Sequence, residues 1–156
     1  MSMQTKTWLS LAGFLLLSFG AGAIGAAFPP GDWYAGLDKP SWNPPNWLFG
    51  PVWTTLYIMI GVAGWRIFQR VERVPSAELA AWGVQLVLNA MWSWLFFGLK
   101  LTGVALVEIL LLWGAILTTL LLFRRRDKVA SWLMAPYLAW VSFASLLNFE
   151  LWRLNG

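Results

Sequence analysis

Apolar positions run along this chain in five long blocks, separated by short polar or proline-rich breaks. Thr7 to Phe28, Pro51 to Arg70, Ala77 to Leu99, Leu101 to Phe123 and Val129 to Trp152 are each long enough to span a bilayer. A helix needs about 20 mostly apolar residues to cross a hydrocarbon layer of about 30 Å. The first block ends at Pro29-Pro30-Gly31, where a helix must stop. Pro51 falls in the first turn of the second, where its missing N–H is harmless. Ser76 is placed to cap the third. Pro136 predicts a bend or break in the fifth. The links at 71–75, around Lys100, and at the charged loop Arg124–Lys128 are short, so successive helices should lie antiparallel. The pattern predicts an all-α integral membrane protein, one five-transmembrane-helix bundle over residues 1–156.

The first block also looks like a secretory leader, with Lys6 ahead of it and Ala21-Gly22-Ala23 resembling a cleavage site. It is longer than a leader's apolar region, however. Its small residues (Ala21 and Gly25, Gly22 and Ala26) fall at the spacing that lets a neighbouring backbone approach closely. A membrane helix is the expectation.

Residues 29–50 form the longest non-helical stretch. They hold Pro29, Pro30, Pro40, Pro44 and Pro45 among Trp33, Tyr34, Trp42 and Trp47. Such a segment is stiff and amphipathic and should fold onto one end of the bundle. Two readings stand open: an interfacial aromatic belt, or a lid over a ligand pocket.

Composition narrows the chemistry. Residues are 59% hydrophobic and 12% charged, against about a quarter charged in soluble domains. This leaves no room for a separate catalytic domain. There is no Cys, hence no disulfide, thiolate nucleophile or Cys-ligated metal. There is no His, which removes the commonest metal ligand, the usual general base and ordinary haem ligation. Of the basic residues, Lys6, Arg66, Arg70, Arg73, Arg124, Arg125, Arg126 and Lys128 gather on one side, and Lys39, Lys100 and Arg153 on the other. By the positive-inside rule the N-terminus is cytoplasmic in a bacterial inner membrane, with the Pro/Trp loop and the C-terminus outside. The net charge of +4 is then a topology signal with some contact to anionic lipid, and gives no reason to expect a nucleic-acid partner.

Polar side chains inside the spans carry the candidate chemistry, because each must find a partner away from lipid. Gln85, Asn89, Trp92 and Phe96 fall on one face of the third span, Trp53 and Tyr57 lie one turn apart in the second, and Trp140, Ala144 and Asn148 stack in the fifth. Ala144 leaves a gap between two larger groups. These faces suit a flat, mainly apolar ligand held by stacking and a few hydrogen bonds; singly, each amide could equally be interhelical glue. Glu108 is the deepest carboxylate. A proton or cation path is the default reading for such a group, but no second deep acid or base accompanies it, and a hydrogen bond to a neighbouring helix serves as well. Glu150 and Arg153 are spaced for an interfacial ion pair.

Taken together, Trp33-Tyr34, Leu37 and Lys39-Pro40-Ser41-Trp42-Asn43-Pro44-Pro45 resemble the loop signature of the TspO/MBR family, the tryptophan-rich sensory and translocator (peripheral benzodiazepine-receptor) proteins. Asn89, Trp92, Ser93 and Phe96-Phe97-Gly98 resemble its third-helix motif, and Pro136-Tyr137, Trp140, Phe143-Ala144 and Leu147-Asn148 its fifth, followed by Trp152-Arg153 and Asn155. The resemblance covers nearly the whole chain. It implies a five-helix bundle, usually a homodimer, that binds porphyrins, haem and benzodiazepine-type ligands with no obligatory cofactor and no metal site. By motif position, the ligand-binding residues would be Tyr34, Trp53, Tyr57, Asn89, Trp92, Trp140 and Ala144. Trp53 and Trp140 stand at the positions tied to light-dependent porphyrin breakdown, and Glu108 where several relatives carry an acid. Transport of a tetrapyrrole is the alternative, although the chain shows no clear inverted repeats or paired deep charges. The sterol pattern of mitochondrial members needs a Tyr where this chain has Phe149, so high-affinity cholesterol binding is not expected.

Overall fold

A computed structural model describes residues 2–156. Its helices are α1 (Met3–Ala26), α2 (Gly31–Ala35), α3 (Phe49–Phe68), α4 (Ala77–Ser93), α5 (Thr102–Arg126) and α6 (Lys128–Asn155). A 3-10 turn, Asn46–Leu48, leads into α3, and a π turn, Trp94–Gly98, extends α4. Five of these elements are long and apolar enough to cross a membrane. Large apolar side chains such as Leu16, Val87, Val107 and Leu111 point outward. That is the arrangement expected where the surrounding solvent is lipid.

Local chemistry sets the boundaries. Ser2 caps α1, its hydroxyl accepting from the Thr5 amide at 3.1 Å, so the helix begins before the apolar block does. Ser76 caps α4 as expected, accepting from the Leu79 amide at 3.2 Å. After the π turn, the Leu99 amide bonds the Trp94 carbonyl (2.8 Å), and Lys100 takes a φ of 60° to reverse the chain.

Three expectations are corrected. Of the bend or break expected at Pro136, the break does not occur, and the last helix is continuous through it; a proline forfeits one intrahelical bond, and 28 residues supply the rest. Arg124–Lys128 is not a loop. The three arginines complete α5, where cations suit the helix C-terminus, and Asp127 alone separates it from α6. Residues 29–50 are not wholly irregular, since they contain α2 and the 3-10 turn.

The spans close into a ring: α1 packs on α3 and α4, α3 on α6, α6 on α5, and α5 on α4. At the Asp127 end the ring is solid. Ile60, Ala63, Ile67, Ile116, Phe123, Ala130, Met134 and Tyr137 have no exposed surface. Asp127 ties this end together. It accepts from Arg66 Nε at 2.7 Å, pairs with Arg70 at 3.1 Å and caps α6 through the Val129 amide at 2.9 Å. Arg66 and Arg70 therefore join helices. Arg126 pairs with Glu78 across α5 and α4 at 2.8 Å. At the opposite end the ring is hollow, and residues 29–50 lie across it.

Candidate functional site

The hollow end encloses a cavity of about 700 Å³, within the usual range for small-molecule sites. All seven residues singled out from the sequence lie on its wall: Tyr34, Trp53, Tyr57, Asn89, Trp92, Trp140 and Ala144. Helix α1 contributes Gly22 and Gly25. The small residues of α1 matter here: a Cβ on Gly22 would stand 2.6 Å from the Tyr57 ring, so glycine lets that ring approach α1 closely. The wall carries no Asp, Glu, Lys or Arg.

The roof is the Pro/Trp segment. Pro29, Pro30, Gly31, Tyr34 and Ala35 all face the cavity. Tyr34 is buried. Its hydroxyl donates to Asn43 Oδ1 at 3.2 Å, and Lys39 Nζ lies 4.8 Å from its ring centre. Burial holds the Tyr34 phenol above its ordinary pKa, so it remains a neutral donor. Trp42 and Trp47 are exposed, as in an aromatic belt. The segment thus covers the cavity with one part and exposes tryptophans with another.

The floor is a hydrogen-bond chain across three helices. Tyr57 OH donates to Asn89 Oδ1 (2.7 Å), and Asn89 Nδ2 donates to Tyr137 OH (2.9 Å). Asn148 does the same nearer the roof: its Oδ1 accepts from Trp92 Nε1 and its Nδ2 donates to the Thr102 carbonyl, both at 2.9 Å. Tyr137 and Asn148 are both fully buried. Asn148 lies on a face read from the sequence and Tyr137 within a motif, but their bonding partners, 46 to 56 residues away, leave no mark in local spacing.

The three cavity tryptophans are not equivalent. Trp92 has its N–H committed and stacks on Phe96 at 5.0 Å. Trp53 stacks on Tyr57 at 5.4 Å, and Trp140 packs against Phe49 at 5.9 Å and Phe143 at 5.4 Å. Among the described residues, neither the Trp53 nor the Trp140 N–H finds an acceptor, whereas Trp65, Trp82, Trp92 and Trp113 all do. Trp53 and Trp140 thus stand, without a hydrogen-bond acceptor among the described residues, on a wall that carries no charged side chain. Among the described residues no group of three or more acidic side chains is arranged to hold a metal ion.

Glu108 stands outside this wall. It is buried beside the lining residues Ile109 and Leu112, but both its carboxylate oxygens lack a partner. The expected hydrogen bond to a neighbouring helix is absent. Gln85, on the same α4 face as Asn89, is likewise buried and unpartnered and does not reach the cavity. Glu150 and Arg153 form the expected pair at 2.6 Å. Phe149, at the Tyr position of the sterol pattern, is exposed beside Trp152.

Comparison with known proteins agrees with this architecture. The chain is 44% identical to the tryptophan-rich protein TspO of Chlorobaculum tepidum, over 97% of this chain and 99% of that one. It is 42% identical to protein CrtK of Rhodobacter capsulatus over 86% of each. It is 38% identical to the human translocator protein, over 95% of this chain and 91% of the relative. Such kinship supports a role as a membrane receptor or transporter. With the TspO/MBR family model matching residues 14–153, on a bundle whose five spans cross end to end, the chain belongs to the TspO/MBR family.

Proposed function

We propose that this protein is a membrane receptor for porphyrins and haem-like tetrapyrroles, which it holds in the cavity under residues 29–50. One observation carries the reading: a chamber of about 700 Å³ with no charged side chain on its wall, into which Trp53, Trp92 and Trp140 are built together. A macrocycle would lie against these indoles, gain stacking and dispersion along its faces, and accept from their donors at its edge. The Tyr57–Asn89–Tyr137 chain holds the floor rigid, and Tyr34 closes the roof. When haem is bound, its iron supplies whatever redox chemistry occurs; no imidazole or thiolate is present to ligate it.

Receptor function is favoured over transport because the ring below the cavity is filled by fully buried side chains from Ile60 to Tyr137. A path through the membrane would need that core to open. The charge distribution supports a bacterial inner membrane with the Asp127 end in the cytoplasm. A homodimer is the expected assembly, with the exposed side of α4 around Ala80 and Val87 a surface on which a second copy could pack closely.

The free indoles favour one further reaction, light-dependent porphyrin degradation. An excited porphyrin would take an electron from Trp53 or Trp140, leaving an indole radical cation and a porphyrin radical anion. Dioxygen would then take that electron and become superoxide. Superoxide would add to a carbon of the macrocycle, and the adduct would return its extra electron to the indole radical cation. The indole is thereby regenerated, and the net change is addition of dioxygen to the porphyrin. The test is protoporphyrin IX titration in light and in darkness, with wild type and with Asn89, Trp53 and Trp140 variants. Saturable binding that weakens in the variants supports the receptor. A defined product needing both light and these indoles supports degradation. Binding indifferent to all three positions would sink the assignment.

A further inference from the structure

The roof of the cavity is tied to the end of the bundle. The Asp38 amide donates to Asn155 Oδ1, and Asn155 Nδ2 donates back to the Asp38 carbonyl, both at 2.9 Å. This reciprocal pair joins the loop to the end of α6 across 117 residues of chain. Next to it, Tyr34 is buried with Phe96, Leu147 and Leu151, and Trp33 and Leu37 pack against that cluster. Lifting the roof would break both bonds and expose these apolar groups to water.

The wall between α3 and α6 is different. A second, apolar groove runs along the outside of the bundle there, lined by Val52, Thr55 and Met59 of α3 and by Pro136, Ala139 and Trp140 of α6. Both helices are spans, so this groove opens onto lipid. Its one hydroxyl is satisfied internally, Thr55 Oγ1 donating to the Pro51 carbonyl at 2.9 Å, so the groove offers lipid only an apolar surface. Trp140 belongs to the groove and to the cavity alike. The Trp140 side chain is therefore shared between the lipid-facing groove and the chamber. No hydrogen bond fixes that ring; it is held by aromatic packing on Phe49 and Phe143. One turn toward the N-terminus, Pro136 has no N–H to offer the Trp132 carbonyl, so α6 lacks one backbone bond beside the gate.

From these features we infer that ligands reach the cavity sideways from the bilayer, along the α3–α6 groove, with the Trp140 indole as the gate. The occupant of the groove is the ligand in transit, a flat apolar molecule already dissolved in the hydrocarbon layer. Such a molecule need not cross into water or lift the roof. This inference rests on the receptor reading and adds the route to it.

The route is tested by the kinetics of protoporphyrin IX binding to protein in phosphatidylcholine vesicles, followed by stopped-flow tryptophan quenching. Ala139→Phe fills the groove without touching the cavity, and Asn155→Ala unlatches the roof. Ala139→Phe should slow association and dissociation alike by about tenfold with Kd unchanged, since a gate alters rates and not the bound state. Asn155→Ala should leave both rates within about twofold of wild type. Should Ala139→Phe fail to fold, Thr55→Trp blocks the groove from the facing helix and carries the same expectation. Unchanged rates in the groove variants, or faster rates in Asn155→Ala, would overturn the route while leaving the receptor intact. Absence of saturable quenching in wild type would overturn both.

Discussion

Trp92 and Asn148 are joined by a 2.9 Å hydrogen bond from indole to amide, and the other end of Asn148 holds the Thr102 carbonyl at the start of α5. This one buried amide links α4, α5 and α6 at the level of the cavity. It also makes Trp92 a fixed wall, in contrast to Trp53 and Trp140.

Replacing Asn148 with Leu should therefore destabilise the bundle. It strands a carbonyl and an indole N–H, at a cost of about 1–2 kcal/mol given the modest net value of such bonds within membranes. Thermal unfolding in detergent should show a lowered Tm. Trp53→Phe strands no partner and should leave Tm nearly unchanged while weakening porphyrin binding.

Tyr137→Phe removes the acceptor of Asn89 Nδ2 from a site with no exposed surface. A stability loss of about 1 kcal/mol is expected. A freed Asn89 can turn its amide into the cavity, so ligand affinity should shift although Tyr137 does not line it. Equal affinity in wild type and variant would show that the floor is not set by this chain.

Asp127 gives the fold an acid limit. Burial works to raise its pKa, but hydrogen bonds from Arg66 and from the Val129 and Ala130 amides outweigh that and hold it below the ordinary carboxylate value. With the folded pKa depressed, this contribution is complete above the unfolded value, about 4, and is lost as pH falls through the folded one. Stability from this joint should be constant from neutrality to about pH 5 and decline below about pH 4. Asp127→Asn should remove that part of the acid dependence and lower stability at pH 7 by about 1 kcal/mol, the value of a cap and partly exposed ion pairs.

Orientation is open to a simple labelling test, because the chain has no cysteine. Gly36→Cys in the roof and Arg125→Cys at the Asp127 end each create a single thiol. A membrane-impermeant maleimide applied to bacterial spheroplasts should label the first and spare the second. The reverse pattern would overturn the assignment of the Asp127 end to the cytoplasm.

Much of this architecture is legible in the sequence because membrane insertion imposes simple rules. Five apolar blocks give five spans, Ser76 caps where it should, and helical spacing alone places Trp53 with Tyr57 and Trp140 with Ala144 on the cavity. What escapes are features set by contact or by short-range geometry. Helix α2 has five residues, too few to show a period. The π turn at Trp94–Gly98 lies in a run of large apolar residues that reads as ordinary helix. The partnership of Asn155 with Asp38 joins the last turn of α6 to a loop near the start of the chain, and no local pattern records it. Glu108 shows the converse: its depth is evident from sequence, but the lack of any partner is a fact of packing.

The central claim is that tetrapyrroles bind against Trp53 and Trp140. It is tested most directly by comparing two double variants that lose the same number of indoles. Trp53→Phe/Trp140→Phe alters the cavity, whereas Trp8→Phe/Trp132→Phe alters only exposed positions. Protoporphyrin IX affinity, measured through the porphyrin's own absorbance in darkness, should fall by about tenfold or more in the cavity variant, roughly the value of one to two lost stacking contacts. It should be unchanged in the exposed one. Equal affinity in both double variants and wild type would contradict the account.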